Sequence, residues 1–316
     1  MDFDAGLKEK VAYAESVINR YMPEVKEEEL NKTITSAMNY TMSAGGKRIR
    51  PVIMKAVYDM LGGNDKVIEP FMAAIEMIHT YSLIHDDLPA LDNDDYRRGR
   101  KTAHVVYGEA MAILAGDGLL NYAYETAAKA FCIGDNFDDI AEDNDVNSLK
   151  AKLDGRLRLE RAMTILSHNP GIYGMIGGQV VDVELTGSRL NEEQLSYIYI
   201  NKTGALIEAA MTIGAVLAGA PDDVVDKISE TAYNIGIAFQ IQDDILDETA
   251  TFEELGKPIH SDQESGKITY VTLHGMEESK KKVEELSKKA VETIKELGGD
   301  NEFLIELVKY LIHRTN

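Results

Sequence analysis

Five carboxylates, Asp86, Asp87, Asp92, Asp94 and Asp95, fall within ten residues, and Arg97 and Arg98 follow at once. An apolar run from Ile75 to Ile84 leads into them. Carboxylates at the C-terminal end of an apolar helix sit where the helix dipole disfavours anions. They are costly there unless a cation neutralises them. Mg2+ suits such a place, because it takes all-oxygen ligands, keeps several waters and binds through one or two carboxylates plus phosphates. The plainer alternative is a solvated acidic loop whose charges pair with Arg97 and Arg98.

A second acidic group, Asp243, Asp244 and Asp247, lies among Ile235, Ile237, Ala238, Ile241, Ile245 and Leu246. Asp243 and Asp247 are four apart and share one helix face. Like charges on a buried helix demand cations. Two buried acidic clusters are expected to form a multi-ion clamp that stabilises charge on a leaving phosphate. Phosphates in turn want arginine and lysine. The chain offers Gly45-Gly46-Lys47-Arg48-Ile49-Arg50, where the glycines let backbone approach a phosphate closely. Lys202 and Thr203 interrupt an apolar helix, and Lys257 and Lys267 each follow a glycine just after the second acidic group. His79 shares a face with Ser82 and Asp86, which makes it a phosphate contact or a core histidine. Calcium-loop and P-loop spacings fail: Arg97 and Ala103 occupy the sixth and twelfth loop positions counted from Asp92, and Ser261 stands where a P-loop before Lys267 needs glycine.

These side chains must be carried by helices. Apolar periodicity predicts helices over about 27–43, 52–61, 67–87, 108–132, 148–167, 171–185, 191–218, 222–247, 277–297 and 301–313, after a first segment around Leu7 to Ile18. No stretch alternates with strand period, and 134–147 reads as an acidic surface loop. The expected architecture is a single all-α domain over residues 1–316, with long helices around a deep central cavity. The formal charge is −21. It argues against nonspecific binding to nucleic acid or anionic membrane. Cys132 is the only cysteine, and the N-terminus is acidic, so a soluble cytoplasmic protein without stable membrane insertion is expected.

Assembled in order, the motifs resemble those of the trans-prenyl diphosphate synthases, and most closely the bacterial short-chain farnesyl diphosphate synthases. Asp86-Asp87-Leu88-Pro89-Ala90-Leu91-Asp92 matches the family's first aspartate-rich motif and Asp243-Asp244-Ile245-Leu246-Asp247 its second. Gly178-Gln179 with Asp182, Lys202-Thr203 and Gly256-Lys257 fall in family order. The resemblance implies the isoprenoid synthase fold and a head-to-tail condensation of isopentenyl diphosphate with an allylic diphosphate. It implies three Mg2+ ions on Asp86, Asp92 and Asp243, with Asp87 and Asp247 as further acidic candidates. Arg97, Lys202 and Lys257 would hold the allylic diphosphate, and Thr203 and Gln240 would steady the cation region. Lys47, Arg50, His79 and Arg98 would hold isopentenyl diphosphate, with Lys267 a further candidate. Tyr81, five residues before Asp86, would floor the product cavity, with Ser82 one turn away. The implied product is farnesyl (C15), with geranylgeranyl (C20) second and a terpene cyclase third; a homodimer is implied as well. One departure is Arg100-Lys101-Thr102 where the family has Pro-Thr, which is expected to shift the loop after the metal site.

Overall fold

Helical caps and apolar stripes set out by the sequence become helices in a computed structural model that describes residues 2–133, 145–249 and 268–312. The chain divides into two compact units: Asp2–Lys55 with Asn64–Met163, and Ala56–Gly63 with Thr164–Asn316. The boundaries after Lys55 and after Met163 fall inside two continuous helices, α3 (Ile49–Met60) and α7 (Val146–His168), and the one after Gly63 follows α3. Among the described residues the only strands are Tyr96–Arg97 and Arg100–Lys101, an antiparallel hairpin not foreseen from the alternation pattern. It is too short for strand periodicity to register.

The first unit also holds α1 (Phe3–Tyr21), α2 (Lys32–Met42), α4 (Glu69–Asp86), α5 (Ala103–Tyr107) and α6 (Glu109–Ala128). Asp2 caps α1 by accepting from the Ala5 N–H. α4 is the core helix, packed on α1 and α6. Phe71, Met72, Ala73, Ala74, Ile75, Met77 and Ile78 are wholly buried. Each large side chain among them contributes roughly 1.5–3 kcal/mol of transfer free energy. By length and composition Lys66–Asp86 is apolar enough to cross a membrane, but 78% of its most apolar window is buried within the protein. α6 meets the end of α4 at Gly116, where a Cβ would lie 2.2 Å from His85 Nε2. That glycine lets His85 approach the Ile113 carbonyl to 3.1 Å and so fixes the last turn before the aspartates.

The second unit contains α8 (Met175–Leu185), α9 (Glu192–Ile198), α10 (Ala205–Ala218), α11 (Asp222–Thr249), α12 (Tyr270–His274), α13 (Met276–Leu297) and α14 (Glu302–Ile312). α9 opens with a capping box between Asn191 and Gln194. α10 is buried almost throughout and stops at Gly219 in the left-handed conformation. α11 packs on α10 and α13. The helix expected over 191–218 is broken by a π-turn at Tyr199–Gly204. The second helix starts at Lys32 rather than near Glu27, because the charges before it pair locally, Lys26 with Glu29 and Glu27 with Lys32.

Candidate active site

Asp86 ends α4, and Asp87 caps it by donating its N–H to the Leu83 carbonyl at 3.0 Å. Pro89 lacks the N–H needed to continue the helix. The chain then folds back, the Asp92 N–H reaching the Asp86 carbonyl at 2.9 Å and the Asn93 N–H the Leu88 carbonyl at 3.1 Å. This return brings Asp92 beside Asp86 despite the residues between them. Asp86 is half-buried and Asp92 exposed; the expected burial holds only for Asp87, at 3%. Burial of the whole acidic group was an overestimate, because the fold-back keeps residues 89–95 at the surface. One oxygen of Asp87 accepts from Arg97 Nε at 2.6 Å and lies 2.5 Å from Nη2 as an ion pair. Burial works against the Arg97 charge, yet Asp87, Asp94 and Asp86 outweigh it and hold Arg97 above the usual arginine range.

Arg98 and Gly99 form the hairpin tip with φ of 53° and 73°, the positive pair that a tight two-residue turn requires. The hairpin rests on α2: the Tyr40 hydroxyl donates to the Lys101 carbonyl at 2.7 Å, and Arg100 stacks 4.3 Å over the Tyr40 ring. The loop that departs from the family pattern is thus tied down by Arg100 and Lys101. Arg98 Nη1 donates to the Gly45 carbonyl, and a Cβ on Gly46 would lie 2.6 Å from the Arg98 guanidinium carbon.

Around this contact gathers a basic cluster. Lys47 is exposed, Arg50 half-buried and Arg48 buried. Arg50 Nε is buried without a hydrogen-bond partner, an orphan donor that calls for an anion. His79 is pushed well below the usual histidine pKa, first by burial and then by Arg50, Arg98, Arg97 and Arg48. Ser82 Oγ turns back onto the His79 carbonyl at 2.9 Å. Tyr81 is 5% exposed, meets His85 edge-on at 5.8 Å, and its hydroxyl has no partner.

In the second unit, α11 carries Gln240, Asp243, Asp244 and Asp247. Asp244 and Asp247 are buried and Asp243 half-buried. Asp244 accepts from the Tyr199 hydroxyl and, at 2.8 Å, from the Tyr270 N–H at the start of α12. π-turns recur at functional sites. This one displays Lys202, whose Nζ lies 2.6 Å from Asp182 Oδ2, and Thr203, whose hydroxyl donates to Gln240 Oε1 at 3.0 Å. Two glycines admit the turn. A Cβ on Gly178 would lie 2.2 Å from the Lys202 nitrogen, and one on Gly236 would lie 2.9 Å from the Gly204 Cα. A cavity of about 120 Å³ is lined by Asp182, Tyr199, Lys202, Thr203, Gln240 and Asp244 among others.

Of the residues anticipated from sequence, Lys47, Arg50, His79, Tyr81, Ser82, Asp86, Asp87, Asp92, Arg97 and Arg98 belong to one unit, and Lys202, Thr203, Gln240, Asp243 and Asp247 to the other. Lys257, Lys267 and most of the acidic stretch 134–147 lie outside the described residues. Glu76, Arg48, Tyr199 and Asp182 went unassigned as site residues. A glutamate inside the apolar run of α4 was the available signal for Glu76, since a buried carboxylate needs a partner. Among the described residues, no three Asp, Glu, His or Cys side chains converge as a ligand set. Asp86 and Asp92, brought together by the fold-back in one unit, and Asp243 in the other each offer oxygen donors of the kind a hard cation takes together with water and phosphate oxygens.

A family model described as polyprenyl synthetase matches residues 31–305. The geranylgeranyl diphosphate synthase of Cyanophora paradoxa is 41% identical over 304 residues, 93% of this chain and 94% of that protein. The farnesyl diphosphate synthase of Micrococcus luteus is 39% identical over 301 residues, 95% of this chain and 94% of that protein. Among solved structures, the Helicobacter pylori geranyltransferase complexed with magnesium and isoprenyl diphosphate matches with a TM-score of 0.79 at 29% identity, covering 99% of this chain and 97% of that one. The helices described above are thus those of the isoprenoid synthase fold. The chain belongs to the polyprenyl synthetase family, and it is a prenyltransferase that makes trans-prenyl diphosphates.

Proposed function

We propose that the chain condenses isopentenyl diphosphate with dimethylallyl diphosphate to give geranyl diphosphate, and with geranyl diphosphate to give farnesyl diphosphate, releasing one inorganic diphosphate in each round. The allylic C1–O bond breaks, leaving an allylic cation and free diphosphate. The isopentenyl double bond then forms the new C–C bond, and the released diphosphate takes the proton that is lost. Mg2+, proposed as three ions with Asp86, Asp92 and Asp243 as protein ligands, would stabilise the charge that develops on the leaving diphosphate.

The chain's own residues set the geometry. Arg97 is aimed by Asp87 and Lys202 by Asp182, and both are proposed to grip the allylic diphosphate together with Lys257. Thr203 and Gln240 orient each other's dipoles toward the cation region. Lys47, Arg50, His79 and Arg98 are proposed to hold isopentenyl diphosphate, with Lys267 assigned to substrate from sequence alone. A neutral His79 would contribute a hydrogen bond rather than a charge.

The observation that carries this reading is the buried, unpartnered Nε of Arg50 within a cluster of arginines. It supports a second diphosphate site, which chain elongation needs and a terpene cyclase does not. Arg50→Ala is expected to weaken equilibrium binding of isopentenyl diphosphate at least about tenfold, on the scale of a lost charge-assisted contact. Unchanged binding would contradict the assignment. Buried Tyr81, bulky and five residues before Asp86, supports a C15 product. The identity to a geranylgeranyl diphosphate synthase keeps C20 as the second reading, which product analysis from geranyl diphosphate separates.

The two units are proposed to act as one catalytic domain in the cytoplasm. A homodimer is also proposed, because Ile113 and Leu114 of α6 and Leu153 and Leu157 of α7 are exposed large apolar side chains. Sedimentation at a monomer mass at micromolar concentration would contradict it.

A further inference from the structure

Arg48 adopts φ of 49°, a left-handed conformation that side-chain-bearing residues rarely take. Its side chain is what holds it there. Nη1 donates to Glu76 Oε1 at 2.9 Å and Nη2 to the carbonyl of Met42, the last residue of α2, at 2.7 Å. Nε lies 3.7 Å from Glu15 on α1. Arg48 therefore ties the strap of residues 43–48 to three helices. Glu76 is 1% exposed and lies three residues before His79, on the same face of α4. Lys47 and Arg50 flank Arg48 in the strap and in the first turn of α3. Gly45 and Gly46, with φ of 77° and 140°, leave the preceding backbone soft, so Arg48 is its firm point.

We propose that Glu76, acting through Arg48, is a positioning residue for isopentenyl diphosphate: the buried pair clamps the strap to α4 and so sets Lys47 and Arg50 against His79. This rests on the assignment of that basic cluster to isopentenyl diphosphate. Without Glu76 the left-handed strap loses its anchor on α4. Lys47 and Arg50 then drift relative to His79, while the aspartates at the far end of α4 keep their place.

Steady-state kinetics with both substrates varied test the idea in three variants: Glu76→Gln, the apolar pair Arg48→Met/Glu76→Leu, and Lys47→Ala as reference. Glu76→Gln is expected to raise KM for isopentenyl diphosphate about tenfold, as small misplacements of binding groups do, with KM for the allylic diphosphate within about twofold. The apolar pair removes both buried charges, so its melting temperature is expected near wild type while the raised isopentenyl KM persists. A pair variant that folds normally with wild-type KM values overturns the proposal, as does an equal rise in both KM values. Should Glu76→Gln not fold, the pair variant decides. If Lys47→Ala leaves the isopentenyl KM unchanged, the cluster assignment itself is wrong and the positioning role falls with it.

Discussion

His79 is surrounded by Arg48, Arg50, Arg97 and Arg98, and burial together with those charges holds it neutral well below its usual value of 6.5. On unfolding it regains that value and takes up a proton once the pH falls beneath it. The unfolded state then binds more protons, so the stability gained by keeping His79 neutral is complete above about pH 6.5 and is lost as pH falls toward the folded value. His79→Asn is expected to flatten the decline in denaturant-measured stability between about pH 6.5 and 5; an unaltered decline would show that other groups cause it. Tyr81 is a different case. Burial first, then Tyr124 and Asp86, push its hydroxyl up to about 12, and it makes no hydrogen bond. Tyr81→Phe is expected to leave product length unchanged, whereas Tyr81→Ala is expected to shift C15 toward C20 in chromatography of the dephosphorylated products. No lengthening in Tyr81→Ala would remove Tyr81 as the floor. At this scale, residue type and spacing made Asp86, Asp92 and Asp243 legible. They left Glu76 and Tyr199 unassigned, because what those side chains do depends on a partner from a distant segment, Arg48 or Asp244.

The elements show where periodicity runs out. Apolar spacing located α4, α10 and α11 and the double aspartates at the end of α4. It could not show the π-turn at 199–204: Lys202 and Thr203 interrupt the apolar run, but polar residues in a helix do not specify the turn type, and the extra residue disturbs only one turn. The turn depends on a close approach of backbones at Gly178, where no side chain can yield. Gly178→Ala is expected to cost roughly 1–3 kcal/mol in thermal or denaturant unfolding, the usual scale of overpacking. It is also expected to raise KM for the allylic diphosphate by displacing Lys202 and Thr203. A variant with unchanged stability and kinetics would show that the turn has room to move. The fold-back after Pro89 is a second example. Sequence supplied the proline and the aspartates, but the hydrogen bond from the Asp92 N–H to the Asp86 carbonyl, which makes them neighbours, belongs to the folded loop.

Across the whole molecule, a chain of net charge −21 concentrates Arg48, Arg50, Arg97 and Arg98 about His79 in one unit. The net charge argued only against nonspecific binding to nucleic acid and said nothing of this local reversal of sign, which comes from α4 meeting the strap and the hairpin. The all-α class and the membership of the family were legible from the order of the motifs. Asp86 and Asp243 are proposed to hold Mg2+, so Asp86→Asn and Asp243→Asn are each expected to lower kcat at least about a hundredfold, the scale of losing a principal electrostatic contact to the transition state. The central claim is metal-dependent chain elongation. Purified protein incubated with labelled isopentenyl diphosphate and geranyl diphosphate, with Mg2+ and with chelator, tests it most directly. A prenyl diphosphate one isoprene unit longer, formed only with metal, is the expected result; folded protein that forms no such product, or forms it equally well in chelator, would contradict it.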